Sequence, residues 1–453
     1  MSAITINKGK PLKGTAPLHG DFLLSLHALL ITSLTPQKIT VDNISTSPAF
    51  RELCNLFIQA GVPLSLTDNS LKRDEGPLTW QDINDPIPVI NEVVLFALGG
   101  FFSGQGKKVT FIIDTTHISI RVVNLFARQF QCSADSDIDK HSSGPITLSP
   151  SVLRNTNSND YYEDYLLKTG LLYYHFAAGN AISHTWKMGG ADYPERLLSS
   201  LDPAVVIQNL GKENLSEFEK RLARKSKKQE KPKQTISLPP SLNIPSFSLS
   251  LPNDVSLAAV YALAATLIPG SEIVLENIAF NATRTAFFNA LRRMGAEIET
   301  LRKREKQGEV YGDLKVSYSE LKGRKFDKES LKGMRDELPL LIIAGACASD
   351  ETVIRDIDIL RDHPQDMLKH MIISLKQANV EIGEVEDGLV IRGASEYDGQ
   401  TYLSLGNPML GFSWMTIGLF SHGQSLLEES ECMTQRFPEA TDYLVKSGNG
   451  TYC

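Results

Sequence analysis

The stretch LPNDVSLAAVYALAATLIPGSEIVLENIAFNATRTAFFNALRRMGAEIE, residues 251–299, holds a complete folding unit. Asp254 stands before an apolar run that Gly270 closes; a short side-chain oxygen followed by residues apolar on every face reads as a capped, buried helix. SEIVLENIAF, residues 271–280, is rich in branched residues and reads as a strand. TRTAFFNALRRMGAEIE, residues 283–299, places apolar residues at helical spacing and then enters a second strand.

The same unit recurs along the chain. Apolar runs open at Asp21, Asn91, Asp164, Asp254, Asp336 and Asn407, spaced by roughly 70 to 90 residues. Second, amphipathic helices are expected near Ser47, Thr116, Tyr193, Asn281, Arg361 and Arg436, an offset of about 25 to 29 residues each time. Asp or Asn at all six starts predicts six side-chain N-caps. Between the third and fourth units, EKRLARKSKKQEKPKQTISLPPSLNIP, residues 219–245, is basic and poor in large apolar residues, which reads as a solvated hairpin tip or linker. The chain therefore divides near Pro252. Residues 18–251, with the basic loop 212–246, form one lobe of three units, and residues 1–17 with 252–453 form the other. An α/β protein with two similar lobes and a cleft between them follows.

The totals agree with a folded protein: 453 residues, 42% hydrophobic and 22% charged, are enough for more than one core. A net charge of −7 argues against a general nucleic-acid binder, which needs many cations to displace phosphate counterions. Cys54, Cys132, Cys347, Cys432 and Cys453 are scattered without CxxC pairing, so neither a zinc site nor a disulfide framework is implied. No apolar run reaches membrane-spanning length, and the start of the chain lacks the pattern of a secretory leader, so a cytoplasmic protein without membrane contact is expected. There is no P-loop, HExxH or GxSxG motif.

Residues 251–299 resemble the central segment of EPSP synthases (3-phosphoshikimate 1-carboxyvinyltransferases), with their Gly-Asp-x-Ser-x-Ala start and Asn-Pro-Thr-Arg-Thr-Gly turn. DELPLLIIAGACASDETVIRDIDILR, residues 336–361, is similar to the family's next unit, LKGTAPLHGDFLLSLHALLITSL, residues 12–34, to its opening unit, and FPEATDYL, residues 437–444, to its close. The resemblance implies an enolpyruvyl transferase fold: two lobes, each of three βαβαββ units, closing on shikimate-3-phosphate and phosphoenolpyruvate. It implies no cofactor and no metal.

Two phosphates and two carboxylates in one desolvated cleft require cations beside them. At the positions where the resemblance implies those cations, this chain carries Phe22, His27, Leu95, His363, Met367, Met409 and Gln435. In the opening motif only Ser25 matches; in the third unit Asp164, Tyr165 and Leu166 replace the Ser-Ser-Gln that grips the shikimate phosphate. A charge-assisted hydrogen bond contributes roughly 1.5 to 3 kcal/mol, so losing half of these contacts costs on the order of 5 to 10 kcal/mol. At about 1.4 kcal/mol per tenfold in affinity, a micromolar substrate is no longer held.

What remains are Asp336, where the family carries an acid used in proton transfer; Tyr193, which matches a tyrosine near the shikimate ring; Ser25; and His27 and His363, which could bind an anion when protonated. Two readings follow. In one, the chain has lost the transfer reaction and is a binding or scaffold protein, with the basic segment 220–233 open to a protein partner. In the other, it is an enzyme acting on a less charged, shikimate-like cyclic metabolite in the cleft, with Asp336 as base and Tyr193, His27 or His363 orienting the ring.

Overall fold

The computed structural model describes the chain apart from residues 1, 79, 90, 116–117, 133–142, 150–152, 154–160, 188–190, 211–232, 307–308, 362–364 and 395. Six inner helices carry the architecture: α1 (Phe22–Ser33), α2 (Glu92–Gly104), α3 (Tyr161–Ala178), α4 (Val255–Leu267), α5 (Leu338–Ala346) and α6 (Pro408–Phe420). In α1, α4 and α5 every residue is buried, as an all-round apolar sequence demands. The outer helices are one-sided: Ile120–Phe130 buries Val122, Val123, Phe126 and Phe130 and leaves Arg121 and Asn124 to solvent.

Among the described residues six small sheets, one per unit, surround these helices. Strand Ala3–Ile6 joins the sheet of the sixth unit and Lys13–Thr15 that of the fourth, whereas Phe247–Ser250 pairs in parallel with Ile39–Asp42 of the first. The chain thus passes between the lobes twice, and the two crossings lie side by side: the Asp21 amide donates to the Pro252 carbonyl (3.0 Å) and the Asp254 amide to that of His19 (2.9 Å). Gly20 is required at this junction, because a Cβ there would lie 1.7 Å from the Asn43 carbonyl oxygen. Apolar side chains segregate into two clusters, one within residues 22–251, the other within 4–16 and 255–445. Among the described residues no helix is long and apolar enough to cross a membrane.

The cap expectation holds at four starts and fails at two. Asp21, Asn91, Asp254 and Asn407 accept from the amides of Leu24, Val94, Leu257 and Leu410. Asp164, by contrast, lies inside the first turn of α3. Asp336 is an exposed turn residue, and the cap position of α5 belongs to Glu337, whose side chain makes no cap bond. The reason is competition: the Glu337 carboxylate is engaged by Ser256 and Arg284 instead.

Strands Val206–Leu210 and Lys233–Leu238 pair antiparallel, with Leu210 opposite Lys233, so the basic segment connects a hairpin. Of residues 220–233 only Lys233 is among the described residues, as His363 and Thr116 are not.

Candidate functional site

The N-termini of α1 and α4 meet where the chain crosses between lobes. The Phe22 amide donates to Asp254 Oδ2 (3.3 Å), and the two carboxylates lie in each other's field. Burial, reinforced by Asp254, raises the Asp21 carboxyl to about 6. Beyond Asp254, Arg284 of the NATRT turn donates to Ser256 Oγ (2.9 Å), which in turn donates to Glu337 Oε1 (2.5 Å). Burial works against the Arg284 charge, but Tyr193, Glu337 and Asp21 outweigh it, so the guanidinium stays ionised. Glu337 is pushed up to about 7 by burial, against the pull of Arg284.

Facing this group, the other lobe contributes Tyr193, Tyr165, His27, Lys168 and Glu195. Tyr193 opens the helix Tyr193–Leu201 and is fully buried with Arg284 over its ring at 5.9 Å. Lys168 Nζ donates to Glu195 Oε1 (2.5 Å) and to the Ala191 carbonyl (3.0 Å), a buried ion pair between α3 and the neighbouring helix. His27 Nδ1 lies 2.8 Å from the Tyr173 hydroxyl, and its ring is 6.5 Å from that of Tyr193.

The lobes are closed on each other by side chains. Arg335 pairs with Glu92 (3.5 Å) and covers the Tyr162 ring at 3.5 Å. Asn281 donates to Asp192 (2.6 Å), Arg196 pairs with Asp192 and with Glu309 (3.2 Å), and Arg436 covers Phe22 at 5.4 Å. Around this junction, among the described residues, Asp21, Glu92, Asp192, Glu195, Asp254, Glu309, Asp336 and Glu337 face Lys168, Arg196, Arg284, Arg335 and Arg436, eight acids against five bases. Lys168, Arg196 and Arg284 are each engaged by a neighbouring acid, whereas Arg436 lies over the Phe22 and Phe437 rings with its buried Nε unpartnered.

Of the substituted positions, Phe22 and Leu95 are buried in one lobe's core, and Met367 and Met409 in the other's. They do not form a joint apolar plug. Gln435 is exposed, and His363 lies outside the described residues. Ser25 donates to the Asp21 carbonyl (2.7 Å) and accepts from the Ser45 amide (2.8 Å), which ties α1 to the loop beside it. The expectation of a titrating His27 is corrected: burial, then Lys168, lowers it to about 3, so it is neutral near pH 7 and offers no charge to an anion. Asp336 sits exposed at the rim, in the field of Arg284 and Tyr165.

The family model described as EPSP synthase (3-phosphoshikimate 1-carboxyvinyltransferase) matches residues 225–444. A 3-phosphoshikimate 1-carboxyvinyltransferase of Desulforamulus reducens is 23% identical over 97% of this chain and 98% of its own length. Along nearly its whole length the chain is similar to the EPSP synthases. A second such relative, from Geotalea uraniireducens, is 35% identical over 44% of this chain and 46% of its own. Among solved structures, EPSP synthase from Acinetobacter baumannii superposes with a TM-score of 0.75 at 19% identity, covering all of both chains. The enolpyruvyl transferase NikO from Streptomyces tendae gives 0.67 at 14% identity, covering all of this chain and 98% of its own. The enolpyruvyl transferase fold implied by the resemblance is therefore that of this EPSP synthase-like chain.

Two junction cations, Lys168 and Arg284, escape a reading that follows lost positions. Lys168 has a signal in hindsight, a lone charge inside the apolar run of α3; its acid partner, Glu195, is remote in sequence. Arg284 lies in the turn that carries the family resemblance, yet nothing in the sequence says that an acid waits for it on α5.

Proposed function

We propose that this EPSP synthase-like chain no longer performs the carboxyvinyl transfer for which its relatives are named, and acts as a binding or scaffold protein in the cytoplasm. The observation that carries the reading is the lobe junction: among the described residues acids outnumber bases there eight to five, and Lys168, Arg196, Arg284 and Arg335 are already held by acids. A multiply charged anion entering there would meet carboxylates and would have to break buried ion pairs, each break leaving an unpaired charge at a cost of about 3 to 5 kcal/mol. Titration calorimetry of the full chain with shikimate-3-phosphate tests this. No saturable heat up to millimolar concentration is expected; a micromolar dissociation constant would overturn the reading.

The second reading, an enzyme for a less charged cyclic substrate, draws on the exposure of Asp336 at the rim beside the field of Arg284. It expects Asp336→Asn to abolish turnover of that substrate while stability moves by less than about 0.5 kcal/mol, since the residue is an exposed surface group with no cap bond to lose. Unchanged turnover in that variant would remove the base.

A further inference from the structure

Among the buried polar atoms at the lobe junction without a hydrogen-bonding partner in the protein are five oxygens, Asp21 Oδ2, Glu195 Oε2, Glu309 Oε2 and the hydroxyls of Tyr165 and Tyr193, together with two nitrogens, His27 Nε2 and Arg436 Nε. Asp21 and Tyr193 are no more than 1% exposed. Tyr193 lies in the fields of Asp21, Arg284, Glu309 and Asp254, and Tyr165 in those of Arg284, Glu195, Asp21 and Asp336, so acids outnumber the one cation around each. The group draws on four elements, the N-cap of α1, α3, the helix Tyr193–Leu201 and the strand Glu309–Ser317 from the opposite lobe, whose charged and phenolic groups lie in one another's fields. Carboxylate oxygens only accept, phenolic oxygens can accept, and the local charge is negative.

We propose that the lobe junction binds a small organic cation, a metabolite bearing an ammonium group, with Asp21 and Glu309 matching its charge and the Tyr165 and Tyr193 hydroxyls accepting from its N–H groups. The proposal rests on the reading that the anionic substrates of the relatives are not taken. A tetrahedral ammonium supplies the donors that these oxygens lack. A metal ion fits less well, because among the described residues no three or more His, Cys, Asp or Glu side chains converge at coordinating distance. Entry requires the lobes to part at the Arg335–Glu92 and Arg196–Glu309 pairs.

Binding is linked to protons. Asp21 is raised to about 6 and Glu309 to about 7, both first by burial, so near neutrality each is partly protonated and an incoming cation displaces the proton. The other groups facing them are Asp192, Glu195, Asp254 and Glu337 among the acids, with Lys168, Arg196, Arg284 and Arg436 opposing. Below the carboxyl values, affinity falls about tenfold per pH unit for each proton displaced.

The test is calorimetry of the full chain with ethanolamine, putrescine and methylammonium chloride at pH 6 and pH 8, with magnesium chloride and shikimate as comparisons, each up to about 10 mM, enough to saturate even a weak site. At least one amine is expected to bind saturably, about tenfold or more tightly at pH 8 than at pH 6, and to lose tenfold or more in Asp21→Asn, where Asn still caps α1. Tyr193→Phe, which leaves the fold's shape intact, is expected to weaken the same amine. Absence of amine binding to folded protein at both pH values overturns the proposal. So does amine binding unmoved by either substitution, or displacement of the amine by shikimate or magnesium. Turnover of the relatives' substrates would instead sink the proposed function, and an amine null without turnover sinks this inference alone.

Discussion

Lys168 and Glu195 bury opposite charges within 2.5 Å of each other. Replacing Lys168 with Met strands Glu195 and is expected to cost about 3 to 5 kcal/mol in denaturant unfolding, whereas Lys168→Met with Glu195→Leu recovers most of that loss. Equal costs for the single and double variants would show that the pair is not coupled. Asp21 gives a pH signature with a definite sign. Its folded value, about 6, is above the ordinary 3.8, so between these values the folded state holds more protons than the unfolded one. Its contribution to stability is therefore present in acid and is lost as pH rises through about 6. Asp21→Asn keeps the cap and should stabilise the chain by about 2 kcal/mol at pH 8, with the difference shrinking toward pH 4; a constant difference across that range would contradict the assignment. At this scale the sequence was half legible: Phe22, Leu95, Met367 and Met409 stand where the family resemblance implies cations. That Arg284 serves Ser256 and Glu337 depends on contacts between residues far apart in the chain, which no local pattern encodes.

The inner helices were legible because a run of apolar residues behind Asp or Asn can hardly be anything but a capped core helix. Four caps follow that rule; Asp336 does not, because Glu337 beside it is drawn to Ser256, and that competition is tertiary. The packing of α2 on α3 was not legible. The two helices approach backbone to backbone, and a Cβ on Gly100 would lie 2.0 Å from the Gly170 carbonyl oxygen. Gly100→Ala should thus destabilise by about 3 kcal/mol or more although Ala is the better helix former. A neutral or stabilising result in thermal unfolding would mean that the helices separate more readily than their fit implies.

Over the whole molecule, six repeats and a division near Pro252 could be read from spacing, since each unit must find apolar partners and polar turns at the same intervals. How the lobes meet could not, because closure depends on Arg335 reaching Glu92 and Arg196 reaching Glu309 across the junction. Removing both cations, Arg196→Ala with Arg335→Ala, should shift the chain toward an open form with a larger radius of gyration by small-angle scattering; an unchanged radius would mean that the crossings alone hold it shut. The central proposal is electrostatic: a junction in which, among the described residues, eight acids face five bases and four of those bases are held by acids is not one for carboxyvinyl transfer. The most direct measurement is release of inorganic phosphate when the purified full chain is mixed with phosphoenolpyruvate and shikimate-3-phosphate. No phosphate above the protein-free rate is predicted, and multiple turnovers that scale with protein concentration would contradict the account.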